Sequence, residues 1–107
     1  ILKNLRMISF MPARKDPKTS SDHQLERIVK GFANHRRIEM LKLLEKTPGL
    51  SVIDIANKLH INFKTASEHT RRLAIAGLVL KRYDASHVRH KLTDRALAIL
   101  KFLRMLE

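Results

Sequence analysis

From Ser21 onward the apolar residues recur at helical spacing in successive blocks, interrupted once by a stretch that lacks it. Leu25, Ile28, Val29 and Phe32 fall at i, i+3, i+4 and i+7, one apolar stripe of a first helix that Gly31 weakens near its end. Asn34 suits an N-cap, and Ile38, Leu41 and Leu44 form the inward face of a second helix. Thr47-Pro48-Gly49 stops that helix, because proline lacks the backbone donor and glycine permits the turn.

Ser51 opens a third helix with Asp54 as its capping-box partner, and Val52, Ile55, Ala56 and Leu59 repeat the i, i+3, i+4, i+7 pattern. Only His60 and Ile61 separate Leu59 from Asn62, which caps a fourth helix reaching about Ala76. Its inward face is Ala66, Thr70 and Leu73, and Gly77 ends it as a residue at ease in the left-handed region. Leu78 to Tyr83 and His87 to Leu92 read as strands joined by the polar turn Asp84-Ala85-Ser86. Thr93 caps a last helix over 94–106, whose apolar residues wrap too far round to face one core. One side would meet the domain and the other a second chain. The expected fold is mainly α with a small β-hairpin: about five helices plus a two-stranded wing over residues 22–107. Residues 1–21, with Pro12 and Pro17 in a polar connector and Ile1, Leu5 and Ile8 at helical spacing, are expected to be an N-terminal arm or a vector-derived segment.

Charge changes this picture more than any other bulk property. The net charge is +12, distributed as +4 over residues 1–20, +1 over 21–57, +6 over 58–91 and +1 over 92–107. The excess in one continuous third suggests a phosphate-facing surface, with an anionic membrane or plain solubility as the competing explanations.

Helix, two-residue gap, helix, glycine and basic hairpin, in that order, favour duplex DNA. A helix fits the major groove, where base edges are distinguishable, and the N-terminal part of the second helix of such a pair is what reaches them. Asn62, Lys64, Thr65, Ser67 and Glu68 are placed for base edges; a carboxylate such as Glu68 accepts from a cytosine amino group. Arg71 and Arg72 are expected on the backbone, with Lys81, Arg82, His87 and Arg89 of the hairpin on flanking phosphates or the minor groove. Leu25, Ile28, Leu97, Leu100, Phe102, Leu103 and Leu106 are the residues expected to join two copies. Two other readings stand beside this one: a protein–protein assembly module, and a non-specific basic nucleic-acid binder. Glu68 and the scarcity of aromatics, with Tyr83 the one tyrosine, argue against stacking-based RNA recognition.

Residues 25–95 resemble the ArsR-type winged helix-turn-helix regulators. The likeness lies in Ala33-Asn34 with Arg37, Ile38 and Leu41, in Leu50 to Ala56, in Ala66-Ser67-Glu68-His69 through Leu73, in Ala76-Gly77-Leu78-Val79 and in Leu92-Thr93. The resemblance implies a homodimeric repressor on a pseudo-palindromic DNA site, with half-sites about one helical turn apart. Metal-sensing members carry two cysteines in the third helix; Ser51 and Ile53 stand at the matching positions, so arsenite, cadmium or lead is not expected there. Thr70 stands where the family usually has leucine, and the wing tip lacks the common glycine.

The remaining candidates are negative. Zero cysteines exclude a disulfide framework, a thiolate metal site and a cysteine nucleophile, in keeping with a cytoplasmic protein. Of the six histidines, His87 and His90 fall on opposite faces of a strand, and His35, His60 and His69 are scattered, so no metal is expected. His69 is expected to be a buried or hydrogen-bonded helix residue. No phosphate loop or nucleophile motif is present, so an enzyme is not expected. Lys3 and Arg6 interrupt the apolar start and no run spans a membrane. No cofactor is implied, and no residue pattern identifies a small-molecule effector.

Overall fold

Side-chain caps set the start of every helix in the computed structural model, which describes residues 21–107; the arm expected over residues 1–20 lies outside the described residues. Helix α1 spans Asp22–Phe32, where Ser21 and Gln24 form a capping box not picked out in the sequence. Helix α2 spans His35–Lys46, and Asn34 Oδ1 accepts from the N–H groups of Arg36 and Arg37 at 2.9 and 3.2 Å. Helix α3, Val52–Leu59, carries the expected Ser51–Asp54 box, which lowers the Asp54 pKa chiefly through the backbone hydrogen bond from Ser51. Helix α4 spans Phe63–Ile75 behind Asn62, and α5 spans Asp94–Met105 behind Thr93. Each such cap is worth about 1 kcal/mol, which matters most for a helix as short as α3.

Helix α2 supplies the centre of the core through Met40, Leu41 and Leu44; Met40 is fully buried although the sequence stripe did not include it. Ile55, Leu73, Leu78, Val79, Leu92, Ala96 and Leu100 close around it. The first apolar stripe behaves differently. Helix α1 has no buried residue, Leu25 and Val29 remain about half exposed, and only Phe32 of the stripe packs onto the core. Gly31 is where α1 meets the end of α4: a Cβ there would collide with the Ala76 Cβ, so the helix-weakening glycine permits close approach. Leu100 corrects the expectation for α5. It is 1% exposed and belongs to its own chain's core, so it is not available to a second copy. Leu97, Phe102, Met105 and Leu106 are exposed, while Leu103 and Ile28 are half-buried.

Strands β1 (Val79–Asp84) and β2 (His87–Leu92) pair antiparallel from Val79↔Leu92 to Asp84↔His87. The connecting turn is therefore two residues, Ala85-Ser86, rather than three, and Asp84 belongs to the strand; Ala85 takes a positive φ of 57° in place of a glycine. The hairpin is stitched to the loop before α3 by Gly49 N–H to His90 O (2.9 Å) and His90 N–H to Leu50 O (3.1 Å), a bridge the sequence did not reveal. Leu78 precedes the strand and ties it to α4 through its N–H to Leu73 O at 2.9 Å. Among the described residues, no helix is long and apolar enough to cross a membrane.

Candidate nucleic-acid interface

The connection between α3 and α4 is a tight C-cap. His60 N–H bonds Asn57 O (3.4 Å) and Ile61 N–H bonds Ala56 O (3.0 Å), while His60 itself adopts φ 57°, ψ 46°. These two bonds close a Schellman turn, usually built on glycine; a histidine in it carries some backbone strain. Asn62 follows in extended backbone, and its Oδ1 accepts from Thr65 N–H at 2.8 Å. Asn62 is thus first of all a cap, and its amide NH2 takes no part in that bond.

Ala66, Thr70 and Leu73 are buried as expected, and they fix which arc of α4 faces out. Thr70 satisfies its buried hydroxyl by donating to Ala66 O at 2.7 Å, which is how a polar residue is tolerated where its position calls for an apolar one. Opposite lie Lys64, Glu68, Arg71 and Arg72, flanked by half-buried Thr65 and Ser67. The sequence placed all six on one helix surface, and the structure brings them together there. Phe63, 54% exposed at the start of the same helix, was not among the expected residues.

The arginines are not idle in the free chain. Arg71 donates from Nε and Nη2 to Glu68 at 3.1 and 2.8 Å, and Arg72 Nε donates to the same carboxylate at 3.1 Å. The Arg71 hydrogen bond is the main reason the Glu68 carboxyl titrates below its ordinary range, and Arg71 is held correspondingly higher. A third guanidinium positions the helix from behind. Arg37 of α2 donates to Gly31 O (2.7 Å) and Lys30 O (3.3 Å) at the end of α1, and meets His69 Nδ1 at 3.1 Å. A guanidinium only donates, so Nδ1 is the acceptor and the His69 ring is neutral. Burial and the neighbouring Arg37 charge lower the His69 pKa in the same direction. His69 is therefore the hydrogen-bonded helix residue the sequence suggested.

The hairpin register sorts its basic residues by face. Cross-strand partners share a face, so Leu80–Lys91, Arg82–Arg89 and Asp84–His87 line one side, and Val79–Leu92, Lys81–His90 and Tyr83–Val88 the other. Arg82, His87 and Arg89 are brought together on the outer face, and Lys91 joins them, legible only from the alternation of a strand. Lys81 is the correction: it is exposed but lies on the inner face beside buried His90. Arg82 directly opposite Arg89 is an unfavourable like-charge pair, relieved when an anion lies across it. Arg89 is partly neutralised already, through Nε to Asp84 (3.1 Å) and Nη1 to Gly49 O (3.1 Å), and so also fastens the hairpin to the α2–α3 loop.

His90 holds the hairpin base. It is 1% exposed; Nδ1 donates to Leu50 O at 2.8 Å, while Nε2 is buried without a partner. Burial pushes its pKa down. Thr93 completes the joint, its hydroxyl donating to Gly77 O at 2.8 Å and accepting from Ala96 N–H at 3.2 Å. Gly77, at φ 75°, could not carry a Cβ without displacing the Arg95 guanidinium. The joint fixes α4, the hairpin and α5 relative to one another. Among the described residues no cluster of three or more His, Asp or Glu side chains is placed to hold a metal ion.

Comparison with known families matches residues 34–81 to the model for bacterial regulatory proteins of the arsR family. No curated protein sequence matches. Similar solved structures include the homodimeric winged helix-turn-helix DNA-binding domain of a possible ArsR-family transcriptional regulator from Mycobacterium bovis, 25% identical with a TM-score of 0.72, covering 82% of this chain and 87% of that one. HlyU from Vibrio cholerae is 28% identical with a TM-score of 0.68, over 78% of this chain and 91% of that one. The transcriptional regulator HlyU from Vibrio vulnificus is 28% identical with a TM-score of 0.65, over 96% and 97%.

Proposed function

Starting from a chain whose residues 34–81 carry the helix-turn-helix of the arsR family of bacterial regulatory proteins, we propose that it is a DNA-binding transcriptional regulator, a dimeric repressor acting in the cytoplasm without catalysis of its own. Helix α4 enters the major groove. Lys64, Thr65, Ser67 and Glu68 meet base edges, with the Asn62 amide at the rim, while Arg71 and Arg72 hold the backbone. The outer face of the hairpin, Arg82, His87, Arg89 and Lys91, lies along flanking phosphates. The observation that carries this reading is the outward arc of α4 from Lys64 to Arg72, polar and basic, on the side of the helix away from buried Ala66, Thr70 and Leu73.

The faces left uncovered support dimerisation. Leu25, Ile28 and Val29 of α1, Leu97, Phe102 and Leu103 of α5 and Leu106 at its C-cap form apolar surface that a second copy would bury, and the similar M. bovis domain is homodimeric. Two-fold symmetry then places two copies of α4 about one helical turn apart on the duplex. Selection of bound duplexes from a random pool at low and moderate salt tests the whole. The expected result is a two-fold symmetric consensus enriched more strongly at the higher salt. Recovery of random sequence at both salts contradicts it.

A further inference from the structure

We propose that Glu68 determines specificity by restraint: it holds Arg71 and Arg72 back from phosphates and releases them only where a base offers it a donor. The proposal rests on the DNA-binding reading above. Glu68 is the one acidic residue of α4, set among Lys64, Arg71 and Arg72 on the outward arc. Its two oxygens take the Arg71 fork at 2.8 and 3.1 Å and the Arg72 Nε at 3.1 Å. The i, i+3 and i+4 spacing puts both guanidinium heads over one carboxylate, so their charge is partly spent within the chain.

A duplex phosphate competes for those same donors. Wherever the arginines turn to the backbone, the carboxylate is left in the groove facing a polyanion, which opposes binding at arbitrary sequence. Every base pair has one amino group in the major groove, so the exception is a register in which cytosine N4 or adenine N6 lies on the strand that Glu68 reaches rather than across the groove, and there the carboxylate exchanges an arginine for a base donor. Discrimination then comes from what Glu68 forbids as much as from what it contacts, and its physical signature is a charge effect on non-specific binding.

The test measures Kd against salt for the wild-type chain and Glu68→Gln, on a selected duplex and on a scrambled duplex of the same composition. Glutamine keeps the size and one acceptor but removes the charge. The scrambled duplex is expected to bind the variant about 3- to 10-fold tighter, with its log–log salt slope steeper by about one. The selected duplex gains less, so the ratio between the two shrinks. Glu68→Ala is expected to move the scrambled duplex the same way. No tightening on the scrambled duplex, or equal tightening on both, overturns the restraint while leaving the DNA reading in place. Absence of duplex binding by the wild-type chain at low salt overturns both.

Discussion

Helices α4 and α5 are 13 and 12 residues long, each begins on a side-chain cap, and each anchors itself in the core by a few apolar residues. What they show to solvent differs, although α4 exposes Phe63 and Ile75 at its two ends and α5 sets Lys101 and Arg104 among its exposed apolar residues. Helix α4 exposes Lys64, Arg71 and Arg72 around Glu68, whereas α5 exposes Leu97, Phe102 and Met105, with Leu106 at its C-cap. A charged face acts through a field that salt screens over about 8 Å at physiological ionic strength. An apolar face gains nothing until water leaves a close contact, and salt barely weakens that contact. Two exposed helices on one small domain thus point to two kinds of partner, and the difference can be tested one face at a time.

The largest effect is expected on the apolar face. Phe102→Glu places a charge where a second copy would pack, and self-association should weaken at least about 100-fold, as for loss of a central aromatic anchor. Sedimentation should then find a folded monomer at concentrations where the wild-type chain is a dimer, at low and high salt alike. An unchanged sedimentation coefficient removes α5 from the account. Next come the positions proposed to read bases. Lys64→Ala and Ser67→Ala should each cost about 1–3 kcal/mol on a selected duplex and little on a scrambled one. Equal losses on both would make α4 a backbone contact only.

Smaller still is the effect at the hairpin. Arg82→Ala should weaken every duplex several-fold and flatten the log–log salt slope by about one. Lys81→Ala, on the opposite face, should do less, and equal slopes for the two would contradict the assignment of faces. The mildest effect concerns the joint between α4 and α5 rather than either face. The buried ring of His90 titrates below the ordinary imidazole value, and so does His69. The unfolded chain takes up those protons first as pH falls through about 6.5, so stability declines from there and levels off once the native rings protonate too. The urea midpoint should accordingly be lower at about pH 5.5 than at about pH 7.5; a midpoint that does not fall contradicts the buried neutral rings.

Much of this architecture is legible in the sequence because local rules govern it. Asn34, Ser51, Asn62 and Thr93 are caps by chemistry, and the buried set Ala66, Thr70 and Leu73 follows from helical period once Asn62 marks the start. The misses come from contacts distant in sequence or from residues in unusual roles. The bridge from Leu50 to His90 is a single non-local pair, and no periodicity announces it. His60 takes a left-handed position that glycine would have flagged. Leu100 could not be told from its exposed neighbours because apolar residues surround α5, and only the packing of α2 selects which of them is core. On α4 the outward residues were legible, but their mutual engagement around Glu68 was not, since spacing alone permits the pair without requiring it.

The most direct measurement is a titration of the isotopically labelled chain with a selected duplex, followed through its backbone amide resonances. With α4 in the groove, the largest shifts fall on residues 62–72 and on the outer-face positions of the hairpin, while residues 97–106 shift little. Large shifts along α1 and α5 with an unperturbed α4 would place the DNA elsewhere and contradict the account.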